Sequence, residues 1–536
     1  MREEKNEFLG LLCNLYIAAL LVALPLYTGE GYGQLGITKY VFFRNISLLC
    51  MGCWLVVGMP GRIRVLFGEC RRLWGRFQAA AGSVPGAGGR GFAAEAPGRI
   101  RGGRRTAHFG ITDCAVAAYG VCVVLSASYS GYKRLAWLGF EEWYMGAVSQ
   151  LIFVGIYFFV SRQYNGAAWP LYLGEAAFFL VSGFGLLHKL GIDPLGLQKG
   201  WNSGDWVYSH MLSTLGNINW LCGFYSVALA FTVSRFLREE RLCLRIPYYI
   251  SSVAAFVLLG VQGSQGGLLI IGVCVCVCLA AGRGQAEVPK KIFLLLAGFF
   301  LCMPLMDLLM DLRGNMAAVV ADGNVFAGRR WYEWPAAAAV CLVLAFFFGK
   351  GGERRKETAA RGKIPGRVIF LVGAGLCAAA GICVVFSRMD DGFGSGRGFL
   401  WRIALEGFGQ ADFKDKMLGA GPDCFGAAVF SRLGAGTDVW KGDHWEGSVF
   451  TNAHNEILNQ LCNVGILGTI SYLGIFAAGL CRYRVARVGY LGLLAISMYG
   501  IHSLISFQQV LNAPLLFLVL GLCERDMRKA GAGGAG

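Results

Sequence analysis

The chain has 536 residues, of which 55% are hydrophobic and only 15% charged, a balance that excludes a soluble domain of this size because too much apolar surface would face water. Its formal net charge of +16 would suit a nucleic-acid partner, but the basic residues lie in short segments between apolar runs, where the positive-inside bias puts them. Lipid is therefore the expected solvent, and no nucleic acid is expected as a partner.

A span needs about 20 largely apolar residues to cross the hydrocarbon core, and such runs recur from Phe8 almost to the C-terminus. In chain order they predict spans near 8–27, 40–60, 109–127, 143–160, 169–187, 216–234, 246–262, 267–282, 292–310, 335–349, 368–386, 457–480, 488–504 and 511–523. The predicted fold class is all-α, a polytopic integral membrane protein of about fourteen helices. The first run lacks an obvious small-residue cleavage site and is long enough to span, so it is expected to stay as a helix.

With the N-terminus inside, alternate connections are cytoplasmic, and these are the basic ones: 61–108, 161–168, 235–245, 283–291, 350–367 and 481–488. The organisation reads as two N-terminal spans plus a basic linker (1–108), a central transmembrane bundle (109–386), a long outward loop between spans 11 and 12 (387–456) and C-terminal spans (457–536). Arg62 to Phe77 interleaves arginines with Leu66, Leu73 and Trp74, a pattern suited to a helix on anionic headgroups. Gly82 to Arg105, rich in Gly, Ala and Arg, reads as a flexible linker. The 19 cysteines lie almost all inside apolar runs, as in Val273-Cys274-Val275-Cys276-Val277-Cys278, and read as small hydrophobes.

An outward loop of this length between two spans is a place for function. It opens with Gly394-Ser395-Gly396-Arg397-Gly398-Phe399-Leu400-Trp401-Arg402, an apolar and basic stretch expected as a short helix against the membrane. A glycine-rich turn follows, Leu418-Gly419-Ala420-Gly421-Pro422-Asp423-Cys424-Phe425-Gly426, and the loop ends in Asn452-Ala453-His454-Asn455-Glu456 at the head of a span. Gly419-Ala420-Gly421 lacks the strand before and the Lys-Ser or Lys-Thr after that a nucleotide loop needs, so a tight turn is the better account.

This order of elements resembles the O-antigen ligase and polymerase family of bacterial surface-polysaccharide assembly. Two upstream stretches add to the likeness: Leu215-Gly216-Asn217-Ile218-Asn219 looks like the family's Gly-Asn-x-Asn, and Gly263-Ser264-Gln265-Gly266-Gly267 looks like its Ser-Arg-Gly. The resemblance runs from about residue 210 to 480, with the His-Asn-Glu context its most specific part. It departs at Gln265, where the family has an arginine for a lipid diphosphate; Arg397, or else Arg402, Arg329, Arg330, Lys133 or Arg134, must supply that cation. Fourteen spans against the family's usual twelve or so would mean two additions.

The resemblance implies transfer of a glycan from an undecaprenyl diphosphate carrier to a glycan or lipid acceptor hydroxyl, at the outer face of the cytoplasmic membrane. A hydroxyl nucleophile needs a base with a pKa near ambient, and histidine, at about 6.5, fits best, which makes His454 the candidate base. Guanidinium matches a diphosphate leaving group with a planar, permanently charged fork, which makes Arg397 the candidate clamp. Asn455 and Glu456 would orient the imidazole or hold sugar hydroxyls, and Asn217, Asn219 and Gln265 would shape the cavity. The competing readings are a helix cap for His454 and the two asparagines, and a snorkelling interface arginine for Arg397. His188, His210, His444 and His502 read as solvent or interface residues. The outward segments lack an Asp-x-Asp pair, so neither a metal nor any other cofactor is implied. Ligase and polymerase differ only in the acceptor, which these motifs do not separate; a lipid-linked oligosaccharide flippase is the rival of another class.

Overall fold

The computed structural model describes residues 2–81, 109–201, 205–282, 285, 287–313, 332–358, 390–434, 450–483 and 489–533. Within them the chain is all-helical except for one short ribbon, Met211–Leu212 paired antiparallel with Gly216–Asn217. Backbone groups in hydrocarbon have no water to bond, so apolar runs of this length become helices, which satisfy them internally.

In chain order the long helices are α1 (Arg2–Ala18, continued through a π-helical turn to Leu26), α2 (Leu35–Ala81), α3 (Ile111–Tyr129), α4 (Ala147–Gln163) and α5 (Trp169–Lys189). Then come α6 (Ile218–Arg238), α7 (Leu242–Val261), α8 (Gln265–Ala281), α9 (Glu287–Leu312), α10 (Glu333–Thr358) and the loop helix α11 (Phe393–Gly409). The last three are α12 (Glu456–Arg482), α13 (Leu491–His502) and α14 (Ala513–Gly533).

Thirteen of the fourteen expected segments are helical, and the fourteenth, 368–386, lies outside the described residues. Among the described residues, eight helices are long and apolar enough to cross a membrane: α1, α2, α3, α5, α6, α7, α9 and α12. α4, α8 and α13, with the apolar part of α10, are shorter apolar helices, so the structure supports a multi-pass membrane protein without fixing fourteen crossings. The segment 62–77 continues α2 as one helix, and the linker Gly82–Arg105 lies outside the described residues.

α6 is the centre of the bundle, its apolar window 89% buried, whereas that of α2 is 28% buried and lines the periphery. α7 and α13 pack on α6, α12 packs on α3, α14 on α4, and α9 on α10. One end of the bundle is closed by charge. The fully buried Asp113 accepts from Tyr157 (2.7 Å), Arg162 (2.8 Å) and Arg528 (2.5 Å), and the fully buried Glu524 pairs with Arg482 (2.7 Å). Burying two carboxylates is tolerable only because each has a guanidinium partner. The opposite end gathers the N-termini of α6, α8 and α12 with the C-termini of α7 and α13, and the loop helices sit on it.

Those loop helices carry a small core of their own, in which Phe399, Ile403, Phe425, Val429 and Cys462 are buried. α11 therefore packs on protein, against the short helix Phe425–Leu433 and the head of α12, where the sequence led us to expect a helix against the membrane. α12 itself is broken at Gly465, whose φ of +69° and ψ of −172° interrupt the helix.

Candidate functional site

The end of the bundle opposite the ion pairs brings together segments far apart in sequence. The ribbon 211–217 turns the chain so that Asn217 caps α6, its Oδ1 accepting from the Asn219 N–H at 2.8 Å. Asn219 is thus free to face the neighbouring turn, and its Oδ1 accepts the Ser264 hydroxyl at 2.8 Å. Ser264 in turn caps α8 through the Gly266 N–H at 3.2 Å. Gln262 Nε2 donates to the Ser264 carbonyl (2.7 Å) and to Cys222 Sγ (3.4 Å), which locks the α7–α8 turn onto α6.

Arg397, near the start of α11, reaches over this group. Its Nε donates to the Ile505 carbonyl (3.2 Å) and one terminal nitrogen to the Gly394 carbonyl (2.7 Å), which fixes the guanidinium while leaving other N–H groups for an anion. Ile505, which it contacts, is two residues from Phe507, the ring that His454 meets at 5.1 Å, so the predicted clamp and the predicted base lie at the same end of the bundle.

His454 sits in the turn before α12 with a φ of +46°, left-handed backbone that a non-glycine residue adopts at some cost. The Asn452 Oδ1 holds the turn by accepting the His454 N–H at 3.1 Å. The imidazole meets Phe507 edge-to-face at 5.1 Å, Phe507 meets Trp143 at 4.9 Å, and Trp143 meets Trp220 at 5.7 Å. Trp143, Trp220, Asn219, Ser264, Arg397 and His454 are each partly exposed at this end of the bundle, its mouth. Burial first, and then the charge of Arg397, push the His454 pKa down to about 4. The imidazole is therefore neutral at pH 7 and able to accept a proton.

The other expected site residues are placed differently. Asn455 is the N-cap of α12: its Oδ1 accepts from Ile457 (3.0 Å) and Leu458 (3.1 Å), so capping takes the oxygen expected to orient the imidazole. Asn455→Ala should lower stability by about 1 kcal/mol in thermal unfolding, with Asn455→Ser recovering most of it. An inactive Asn455→Ala variant of unchanged stability would return the residue to chemistry. Glu456 is fully buried, and its carboxylate accepts from Gln460 Nε2 and the Gln508 N–H, both at 2.6 Å; it braces α12 to the 503–512 segment.

Arg402 lies 140° around α11 from Arg397 at about 100° per residue. It is held on the outer side by Asp391 (2.6 and 2.9 Å) and Glu406 (3.4 Å). These carboxylates already occupy the fork expected to hold a diphosphate. Gln265 is exposed at the first turn of α8, and it is the preceding Ser264 that touches the site. Arg329, Arg330 and His444 lie outside the described residues.

His188 and His502, read from sequence as solvent or interface residues, are both buried. His188 Nδ1 accepts the Ser213 N–H (3.1 Å) and pairs with the Tyr32 hydroxyl (3.2 Å), while its Nε2 faces Asp193 at 3.3 Å. His502 and Asn512 both lie beside Gly223 of α6. Sequence reasoning also missed Ser264, Gln262, Cys222, Phe507, Trp143 and Trp220. Of these only Ser264 carried a local signal, a serine just before an apolar run.

The described cysteines are free thiols. No family model matches the chain, and no curated protein matches it.

Proposed function

We propose that this chain is a metal-independent glycan transferase of the O-antigen ligase and polymerase kind, moving a glycan from an undecaprenyl diphosphate carrier to a glycan or lipid acceptor hydroxyl. The observation that supports it is the presence of Arg397 and a neutral His454 at the same end of the bundle, its mouth, together with Asn219 and Ser264. We place this mouth at the outer face of the cytoplasmic membrane. In this reading the chain crosses about fourteen times and the loop 387–456 faces outward, in line with its acidic composition.

In the proposed step the acceptor O–H gives its proton to His454 while its oxygen attacks the anomeric carbon. The glycosidic C–O bond breaks, and its electron pair leaves on the diphosphate. Arg397 holds the charge that grows on that leaving group. The same cation contributes to the tuning of the base. Burial is the larger cause of the low His454 pKa and the Arg397 charge the smaller; once a diphosphate neutralises that charge, its part of the shift is relieved and the proton affinity of the imidazole rises when a proton must be accepted. The half-buried Trp143 and Trp220 offer apolar faces beside the reacting atoms for a sugar ring.

The pH dependence follows in sign. An unfolded histidine takes a proton near 6.5, and the folded His454 refuses it until about 4. This group therefore withdraws stability as pH falls from about 6.5 to about 4, and the free enzyme keeps its base through that window. The kcat/KM profile should show its acid limb near pH 4, and a limb at 6.5 would remove His454 as the base of the free enzyme.

Glycan profiling tests the assignment: cells lacking this gene, complemented with wild type, His454→Ala or Arg397→Ala at equal membrane levels. Loss of the surface polymer with accumulation of lipid-linked precursor is the expected result for both variants. Full restoration by both would refute it. Lipid-linked repeat units offered with no other acceptor separate the two chemistries, since only a polymerase lengthens them. Retained flipping with lost transfer excludes the flippase alternative, and the reverse result would favour it.

A further inference from the structure

Beneath the His454 turn the helices line a partly open polar cavity with room for a water-sized occupant, whose lining does not include His454 or Arg397. Its walls include Asp423, Glu456, Asn459, Asn463, Gln460 and Tyr119, and no Lys, Arg or His lines it. Two of these are carboxylates. Both groups that contact Glu456 are donors, the Gln460 amide and the Gln508 backbone N–H, each at 2.6 Å. Asp423, in the loop at a φ of +61°, likewise accepts two backbone N–H groups through Oδ2, from Phe140 at 2.7 Å and Met145 at 2.9 Å. Bonds of this pattern favour the ionised form of a carboxylate. Burial is the larger influence and raises the Asp423 pKa to about 6, which leaves Asp423 largely ionised at pH 7. A buried charge is expected to be paired or to coordinate a metal.

Two further observations point the same way. Asn459 and Asn463 are 9% and 6% exposed and line the cavity, and the side-chain oxygen of each has no hydrogen-bond partner. The first half of α12 also ends here, at the break at Gly465, so the negative end of a nine-residue half-helix lies near Asp423, while Glu456 stands at its opposite end. The site thus offers negative charge, two vacant oxygen acceptors and one donor without a partner, the Gln508 Nε2, and among the described residues no lysine, arginine or histidine lines it.

We infer that the cavity binds one small desolvated monovalent cation, of which sodium is the probe, held by Asp423, Glu456 and the side-chain oxygens of Asn459 and Asn463. Magnesium keeps several of its waters, for which there is no room, and calcium takes six to eight oxygens, often from bidentate carboxylates, whereas the carboxylate oxygens here are shared with N–H donors. A sodium ion needs only a few neutral or shared oxygens. Its place at a broken span makes it a clasp between the loop turn 419–423 and the head of α12, independent of whether the mouth above carries out glycan transfer.

The test is thermal unfolding of the intact protein in detergent, followed by tryptophan fluorescence at constant ionic strength, with choline balancing sodium, potassium or calcium. Sodium should raise the melting midpoint in a saturable way, and binding of radioactive sodium should reach one ion per chain. Asp423→Asn keeps an oxygen for the Phe140 and Met145 N–H groups but removes a charge, and it should weaken the apparent sodium affinity at least tenfold. If none of the cations shifts the midpoint and no sodium binds, the carboxyls are neutralised by protons or the cavity holds water, and the proposal is wrong. A shift with calcium alone would overturn the assigned charge.

Discussion

His454→Ala should lower kcat by about 10²–10⁴-fold, the usual contribution of a positioned base. His454→Asn should do the same while keeping the turn, because asparagine tolerates the left-handed backbone that His454 holds at a φ of +46°. The pair separates chemistry from architecture. If the alanine variant is inactive and the asparagine variant retains half the wild-type rate, the residue at 454 serves the turn, and proton transfer belongs elsewhere. Steady-state rates on a lipid-linked donor, with melting midpoints measured in parallel, decide between these outcomes.

Gly465→Ala should be the most damaging of the small substitutions, costing more than about 3 kcal/mol or preventing accumulation of folded protein. The φ of +69° disfavours any L side chain, and a methyl there would stand 2.4 Å from the Met417 carbonyl oxygen and 2.5 Å from the Gly419 nitrogen. Those are backbone atoms of the docked turn and cannot rotate aside. The turn docks because α12 is open here: Ala420 N–H donates to the Cys462 carbonyl (3.0 Å) and Gly421 N–H to the Asn463 carbonyl (2.9 Å). Forcing the turn off should expose the loop 390–434 to protease before the bundle unfolds. Gly272→Ala, which meets nothing within 4 Å in α8, is the control and should be neutral. Equal expression, stability and protease resistance of the two variants would mean that the turn is not clamped by the broken helix.

Span positions were legible because the signal is local. A run of apolar residues long enough to cross hydrocarbon has few alternatives to a helix, and the charges that interrupt it mark its ends. The same reading named Arg397 and His454. It failed where a side chain's role depends on direction rather than type. Arg397 and Arg402 are the same residue five positions apart, and only the packing of α11 on its own apolar core turns one toward the mouth and the other toward Asp391 and Glu406.

His502 closes an apolar run, where water is the natural expectation, yet the segment 503–512 folds back and buries it. Asn455 and Glu456 looked like partners of the imidazole because they follow it in sequence. In the structure, the helix that starts between them takes one as its cap and sends the other into the interior.

The sequence by itself therefore determined the solvent, the helical class, the approximate positions of the helices and the residue types able to clamp a diphosphate and accept a proton. These follow from hydropathy and side-chain chemistry, which do not depend on neighbours. Only the tertiary structure decided that Ser264 rather than Gln265 touches the site, that Asn219 rather than Asn217 faces it, and that two carboxylates share a cavity without a basic residue. Each of those depends on the rotation of one helix against another, a quantity fixed by packing across hundreds of residues and absent from any local stretch of the chain.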